Sequence, residues 1–333
     1  MRRLCLCLVL LLAGACSGAG PEGPDLEIIL AEKPAQTLSA YGLFVDASAT
    51  EPASGVIGYD LINPLFSDHA QKDRFVFIPG DQAADWSETE VFSFPVGSVL
   101  VKSFSYPETG TLETRLLIRK PEGWIGYPYV WNAERTEAMY SPIGAKMTVK
   151  TVNKGGLAQQ INYAVPNQNQ CKTCHQAGKS ITPIGPKARN LGAEQVQNWG
   201  EKGLLTGHPA SFEAVPSILR NEGGLNAQAR AYLDINCAHC HKSDGAASNS
   251  GLWLSWTEES LVKIGIDKHP TAAGRGSGKL QRVIAPGDPD ASILAFRMAS
   301  TQAGVAMPEL GRTLIDEKGV ELITEWILEL END

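Results

Sequence analysis

The chain is poor in positive charge and has no long hydrophobic run. Its 333 residues include 29 lysines and arginines against 37 aspartates and glutamates, and its net charge is −8. A nucleic-acid-binding protein carries a basic patch or stripe, so no nucleic-acid partner is expected. The apolar run at residues 4–15 is too short to cross a bilayer. With 43% hydrophobic and 20% charged residues, the composition is that of a globular protein.

Cysteine is also scarce, and its positions are informative. Of the seven cysteines, Cys5 and Cys7 lie in the apolar run and Cys16 ends it. The other four all lie in two C-x-x-C-H motifs, at residues 171–175 and 237–241. Exported proteins usually pair their cysteines in disulfides. If the apolar run is removed on export and Cys16 serves as an anchor, every remaining cysteine lies in the two motifs and none is left for such pairing.

The N-terminus predicts export. Arg2 and Arg3 precede the apolar run, so residues 1–16 are predicted to be a signal peptide. The residues "LAGAC" resemble a bacterial lipobox, which implies that Cys16 becomes a lipidated first residue and anchors the protein to a membrane. Ser17 after the lipidated cysteine favours sorting to the outer membrane. The protein is therefore expected in the periplasm, anchored to that membrane through Cys16. Ordinary cleavage nearby, leaving a soluble protein, is the alternative. Residues 17–35 are predicted to be a linker.

The next part of the chain has the pattern of β-strands. Residues 98–105 are β-rich, and residues 111–119 alternate apolar and polar side chains as a half-buried strand does. Residues 124–131 follow a turn, and residues 146–152 and 159–165 flank two glycines as a hairpin. Residues 36–215 are therefore predicted to form an antiparallel β-rich domain that ends in the first C-x-x-C-H motif.

The C-x-x-C-H pattern is typical of c-type haem attachment. Each of two thiols three positions apart forms a thioether with one haem vinyl group, and the next histidine ligates the iron. Two covalently attached haem c groups are therefore predicted. The cysteines are expected to hold the haems and the histidines to bind iron, with the first set being Cys171, Cys174 and His175 and the second Cys237, Cys240 and His241.

These cysteines have two alternative uses. Four thiolates could bind zinc, but the 62 residues between the pairs exceed the usual gap of a zinc ribbon. Zinc also gives no reason for a histidine after both pairs. A thioredoxin-like motif needs a βαβ context, which the pattern lacks.

The sixth ligand of the second haem is predicted to be Met307, on a loop that Pro308 stiffens. Met298 is predicted to pack in a helix core, and His239 to be a spacer that faces away from the iron. For the first haem no sixth ligand stands out, and His208 is the best candidate among the histidines. The candidates there are Met139, Met147, His69, His208 and His269.

Residues 217–333 resemble a class I-like cytochrome c domain. The resemblance is carried by "ARAYLDINCAHCH", "AMPELG" and "ITEWILEL". Helical spacing predicts helices at 225–236, 288–300 and 316–330, and the resemblance implies that the last packs across the first. The expected fold class is α+β, with a mainly α-helical cytochrome c domain at 216–333 after the β-rich domain.

The first half resembles the hydroxylamine-oxidising cytochromes whose haem is cross-linked to a lysine. The shared stretches are "FPVGSVLVKSF", "EGWIGYPYVWN" and "CKTCH", and the resemblance implies a haem against a β-rich body with an open iron position. No lysine is identified as matching the cross-link; Lys102 lies in a predicted strand. Taken whole, on "VPNQNQCKTCH" and "PIGPKARNL", the chain resembles exported dihaem c-type cytochromes of Gram-negative bacteria.

That resemblance implies electron transfer and no defined substrate. The favoured function is to carry single electrons between redox protein partners, such as a dehydrogenase or an oxidase, with no catalytic residue. One alternative is a haem enzyme acting on hydroxylamine, nitric oxide or peroxide at an open first haem. Another is a docking module whose exposed face contains Trp124, Tyr127, Tyr129 and Trp131.

Overall fold

The computed structural model describes residues 23–152 and 158–330. The predicted signal peptide and Cys16 lie outside this range. No helix within it is both long enough and apolar enough to span a membrane. Residues of the predicted linker that fall inside the range include a short helix at 26–30, capped by the Asp25 carboxylate, and Ile29 of this helix is fully buried.

The helices and strands alternate irregularly along the chain. The helices are α1 Leu26–Leu30, α2 Gln168–Cys174, α3 Ala188–Leu191, α4 Ala193–Glu201, α5 Leu225–Asn236, α6 Leu261–Ile264, α7 Ile293–Met298 and α8 Glu317–Glu329. The strands are β1 Val56–Gly58, β2 Gln71–Phe77, β3 Ala84–Asp85, β4 Val99–Tyr106, β5 Gly110–Lys120, β6 Gly123–Trp131, β7 Ala138–Tyr140, β8 Ala145–Val152, β9 Ala158–Val165, β10 Gln176–Ala177, β11 Ser180–Ile181 and β12 Leu205–Thr206.

A six-stranded antiparallel sheet, in the order β1-β2-β4-β5-β6-β7, organises the first half. The predicted strands at 98–105, 111–119 and 124–131 are confirmed as β4, β5 and β6, and the predicted hairpin is β8–β9. One sheet face carries Val101, Leu116 and Tyr129 and packs on the N-terminal segment. This layer is a well-formed core because alternate residues of neighbouring strands face the same side.

The aromatic stretch in β6 belongs mostly to this core. Tyr127, Tyr129 and Trp131 are 3%, 0% and 6% exposed, and Trp124 is half-buried against Phe94. These rings therefore do not form the exposed docking face that the sequence allowed as an alternative.

The prediction of a mainly α-helical C-terminal domain is wrong. Helices α5 and α8 occur as predicted, but the predicted helix at 288–300 is only Ile293–Met298, and long loops connect the helices. Helices do not continue through left-handed residues or easily through proline. The segment between α5 and α7 has Pro270, Pro286 and Pro289 and positive φ at Gly251, Gly265, Gly274, Gly278 and Gly287. The chain is thus β-rich in its first and central parts, with few helices.

The two long C-terminal helices pack directly on each other, as expected. The Trp326 indole N–H donates to Asn226 Oδ1 at 2.9 Å, and the Tyr232 hydroxyl donates to Asp316 Oδ2 at 3.0 Å. Gly319 permits this approach, since a Cβ there would lie 2.2 Å from the Tyr232 hydroxyl oxygen. Apolar residues of both helices then share one core around Leu233 and Ile323.

Buried polar contacts join the strand-rich part to this helical core. Arg189 of α3 makes a bidentate pair with Asp234 of α5 at 3.0 and 2.9 Å, and both side chains are 5% exposed. The Asp68 carboxylate accepts hydrogen bonds from the backbone of Thr313 and Leu314, each at 2.8 Å. These contacts tie together segments that are distant along the chain.

Replacing Asp234 with asparagine should destabilise the fold strongly. The substitution keeps the shape but leaves the Arg189 guanidinium buried without a counter-charge, which typically costs about 3–5 kcal/mol. Denaturant unfolding followed by circular dichroism measures the loss. As a control, Glu222→Gln breaks the exposed pair with Arg220 and should not measurably move the midpoint. Equal midpoints for the two variants would contradict the assignment.

Candidate functional site

The first motif lies on α2, a helix with a strong start signal. The Asn167 side chain accepts from the Gln170 backbone N–H, and the Gln170 side chain accepts from that of Asn167, forming a capping box. Cys171 and Cys174 are three positions apart, so their thiols lie on one face of the helix. His175 is the residue at which the helix ends.

A tight hairpin then fixes the His175 ring. Strands β10 and β11 turn back at Gly178, whose φ is +59°. The Thr182 N–H donates to the His175 carbonyl at 2.8 Å, and His175 Nδ1 lies 2.7 Å from the Thr182 carbonyl oxygen. Because a carbonyl only accepts, Nδ1 carries the proton. Nε2 therefore holds the lone pair that can ligate a metal.

Helix α2 sits directly on the large sheet at Gly126 of β6. A Cβ at Gly126 would lie 3.3 Å from the Cys171 Cβ, and the Gln168 side chain donates to the Gly126 carbonyl at 3.2 Å. This glycine lets the helix approach the strand closely. The first motif is thus mounted on the sheet face opposite the one that packs on the N-terminal segment.

The second motif follows α5 without a break, and its histidine is oriented in the same way. His241 Nδ1 lies 3.1 Å from Ser250 Oγ, whose own hydrogen goes to the Ala247 carbonyl at 2.7 Å. Ser250 Oγ therefore accepts from Nδ1, and Nε2 is again the free nitrogen. Such an outer contact fixes the tautomer and the ring orientation of a metal ligand.

Burial sets the protonation state of both motifs. Burial lowers the pKa of His175 and of His241 to about 4, so both imidazoles are neutral at pH 7 and able to ligate. Burial also raises the pKa of Cys237 and of Cys240 to about 12. These buried thiols are therefore uncharged at pH 7.

No convergent metal cluster accompanies the cysteines. Among residues 23–152 and 158–330, no three His, Cys, Asp or Glu side chains come together as a metal site. The four cysteines are free thiols; Cys174, Cys237 and Cys240 line the larger cavity described below, and Cys174 also lines the smaller one. The zinc alternative therefore finds no support in the positions of these side chains.

Two adjoining cavities flank the motifs. The larger, about 420 Å³, is lined by Cys237, Cys240 and His241, and the smaller, about 80 Å³, by Cys174 and His175. The larger has a volume typical of cofactor pockets. Seven residues line both cavities, among them Cys174, Met307 and His239. The segments after the motifs also touch, since the Gly178 N–H donates to the Asp244 carbonyl at 2.8 Å.

Met307 lies on the loop between α7 and α8, in the wall shared by the cavities. The Arg312 guanidinium shapes this loop by donating to the carbonyls of Met307 and Ser300, both at 2.8 Å. Met298 is 6% exposed in the C-terminal core, as expected, but it also lines both cavities.

The ligand candidates named for the first haem do not meet His175. None of them lines the smaller cavity: Met139, Met147, His69, His208 and His269. His208 lies against α4 near Gly200, and His269 contacts Arg282. His239, expected to be a spacer, does line both cavities, and within the described part of the chain its buried Nδ1 has no hydrogen-bond partner.

A row of cations beside the first motif was not predicted from the sequence. Arg74 of β2, Lys102 of β4 and Arg115 of β5 are direct cross-strand neighbours on the face that bears α2. Lys102 and Arg115 line the smaller cavity. Burial, followed by the nearby charges of Arg115, Arg74 and Lys72, holds the pKa of Lys102 well below its usual range. The signal was a charged residue at the centre of an apolar strand.

Together these residues fit two haem c groups. Each motif offers two neighbouring uncharged thiols and an imidazole whose Nε2 is free, beside a cavity. No protein-family model, curated protein or solved structure matches the chain.

Replacing Arg312 with methionine should loosen the Met307 loop. The variant removes charge-assisted hydrogen bonds worth about 1.5–3 kcal/mol, so amide exchange across residues 299–312 should speed up about tenfold or more. Hydrogen exchange with mass spectrometry reads this out. Arg135→Met, which removes similar carbonyl contacts in a distant β-turn, should leave the segment unchanged. Unaltered exchange in the Arg312 variant would rule out this anchoring role.

Proposed function

We propose that the chain is a dihaem c-type cytochrome that carries single electrons. The observation that supports this best is the pairing of two C-x-x-C-H motifs, each with a histidine whose Nδ1 donates to a fixed oxygen, beside cavities that share a wall. When bound, each haem supplies an iron that cycles between two oxidation states. Close packing of the two sites favours exchange of electrons between them.

The protein's own residues have distinct roles in this proposal. Cys171, Cys174, Cys237 and Cys240 hold the haems through thioether bonds. His175 and His241 ligate through Nε2, and their buried surroundings keep them neutral. Met307 is proposed as the sixth ligand of the second haem, since its loop reaches the larger cavity.

We further propose that the protein works in the periplasm, tethered to the outer membrane through a lipid on Cys16. Its partners are redox proteins such as a dehydrogenase or an oxidase. Loss of residues 1–15 leaves 27 basic and 37 acidic residues, a net charge of −10. A basic patch on the partner would complement this surface and speed the encounter.

Haem content tests the proposal directly. The protein is expressed with a c-type haem maturation system and measured by denaturing mass spectrometry. We expect a covalent gain of two haems, and a gain of one in each double variant, Cys171→Ala/Cys174→Ala and Cys237→Ala/Cys240→Ala. A wild-type chain that carries no covalent haem, or zinc in its place, would contradict the proposal.

Replacing Met307 with alanine should lower the reduction potential of one haem only. Loss of a thioether ligand destabilises the reduced iron, within the range of about 0.8 V that axial ligands control. Redox titration measures the potential, and the near-infrared sulfur-to-iron band should disappear. Met298→Leu, which alters the other methionine of the shared wall, should retain the band. If both variants keep it, Met307 is not the ligand.

A second candidate function is a haem enzyme with an open first iron. The observation in its favour is that none of the five candidate ligands for the first haem lines the cavity beside His175, whereas Lys102 and Arg115 do. Its substrate would be hydroxylamine, nitric oxide or peroxide. A high-spin ferric signal that shifts with cyanide supports this function, and two low-spin haems inert to cyanide and carbon monoxide exclude it.

A further inference from the structure

Lys102 lies at the centre of a row of like charges in the large sheet. Its cross-strand neighbours are Arg74 on one side and Arg115 on the other. Like charges directly opposite each other in a sheet are destabilising. The row lies between apolar clusters, with Leu100 and Leu117 on one side and Phe104 on the other. Such an arrangement needs compensating negative charge or hydrogen-bond acceptors.

The positive charges near Lys102 are each paired with an oxygen of the protein. Arg115 makes a bidentate pair with the fully buried Glu113 at 2.7 and 2.6 Å. Arg74 donates to the Lys72 carbonyl at 3.2 Å and lies 3.7 Å from an Asp60 carboxylate oxygen. Lys72 in turn donates to the Leu65 carbonyl at 2.6 Å. Each of these charges therefore has an oxygen partner within the protein.

Lys102 has no such partner. Within residues 23–152 and 158–330, no carboxylate lies within ion-pair distance of its ammonium and no atom accepts a hydrogen bond from it. Its Nζ lies 5.0 Å from the centroid of the Phe104 ring. The side chain is half-buried and faces the smaller cavity, which Cys174, His175 and Arg115 also line. An unpaired cation and a donor-rich guanidinium thus border one space beside the first motif.

We propose that Lys102, with Arg115 beside it, binds an oxyanion in the smaller cavity. The chemistry required is a compact group with two or more charged oxygens, which accepts from an ammonium and a guanidinium together. Two sources supply it: a propionate of the first haem, or a small soluble oxyanion that enters the cavity. The first source rests on the proposed function, whereas the second does not.

The cavity size limits the ligand class. The space, about 80 Å³, is much smaller than the neighbouring cavity of about 420 Å³. It suits a compact group such as a nitrite ion or a single carboxylate. Arg312 and Asp316 border the same cavity. The Asp316 carboxylate means that the cavity lining is not uniformly positive.

The test compares Lys102→Met with Lys150→Met in the full-length purified protein. Lys150 is an exposed lysine in β8 and serves as the matched control. Nitrite is the probe for a soluble oxyanion, and isothermal titration calorimetry measures its binding. If the source is soluble, the wild type and the control bind nitrite, and Lys102→Met binds at least tenfold more weakly.

Resonance Raman spectroscopy tests whether a propionate of the first haem is the bound oxyanion. If a propionate occupies the site, added nitrite does not bind to the wild type, and Lys102→Met alone shifts the propionate bending band of one haem. If Lys102→Met and the control agree in both measurements, the proposal is overturned.

Failure of the proposed function is separable from failure of this inference. The haem mass is measured first; a protein without haem removes the propionate source, and nitrite binding alone then decides. Circular dichroism and the unfolding midpoint check that Lys102→Met is folded, and Lys102→Gln replaces it if it is not.

Discussion

The buried ion pair between Arg189 and Asp234 is the contact on which the arrangement of the two motifs depends. Arg189 belongs to α3, shortly after the first motif, and Asp234 to α5, three positions before the second. Asp234 also accepts from the Trp256 backbone, and Arg189 donates to the Thr89 carbonyl. A pair this buried is costly unless every donor and acceptor is used. Here the pair is bidentate and has these further partners, and it links the segments that carry the two motifs.

Once those segments are linked, the orientation of each histidine ring is set by residues close to it in the sequence. His175 is turned by a hairpin that closes seven residues later, and His241 by a serine nine residues later. Neither ring depends on a distant residue for its tautomer. The distant contacts instead decide what each ring faces: the sheet for the first motif, and the Met307 loop for both cavities. Ligand chemistry is thus encoded close to each histidine, and the surroundings are encoded far from it.

This division explains which features were predictable. β-rich composition, alternation and turn residues revealed β4, β5 and β6, and helical spacing revealed α5 and α8, because these signals lie within a few residues. Helix content in the second half was overestimated because the resemblance to cytochrome c implied a mainly α-helical domain, whereas left-handed residues such as Gly251 and Gly265 interrupt the chain between α5 and α7. The row of Arg74, Lys102 and Arg115 was invisible because it exists only through cross-strand register between residues up to 41 positions apart. From periodicity alone, such charged residues would be predicted to face solvent.

The shared wall between the cavities has a consequence for how the two centres behave together. Met307, His239 and Cys174 each border both spaces, and close-packed interiors transmit small displacements instead of absorbing them. A rearrangement that accompanies a change of charge at one centre must therefore be accommodated by atoms that also border the other. Under the proposed function, binding or reduction at one centre would therefore be thermodynamically linked to the other, and such linkage is reciprocal. The two haems would then act as one coupled pair and not as two independent carriers.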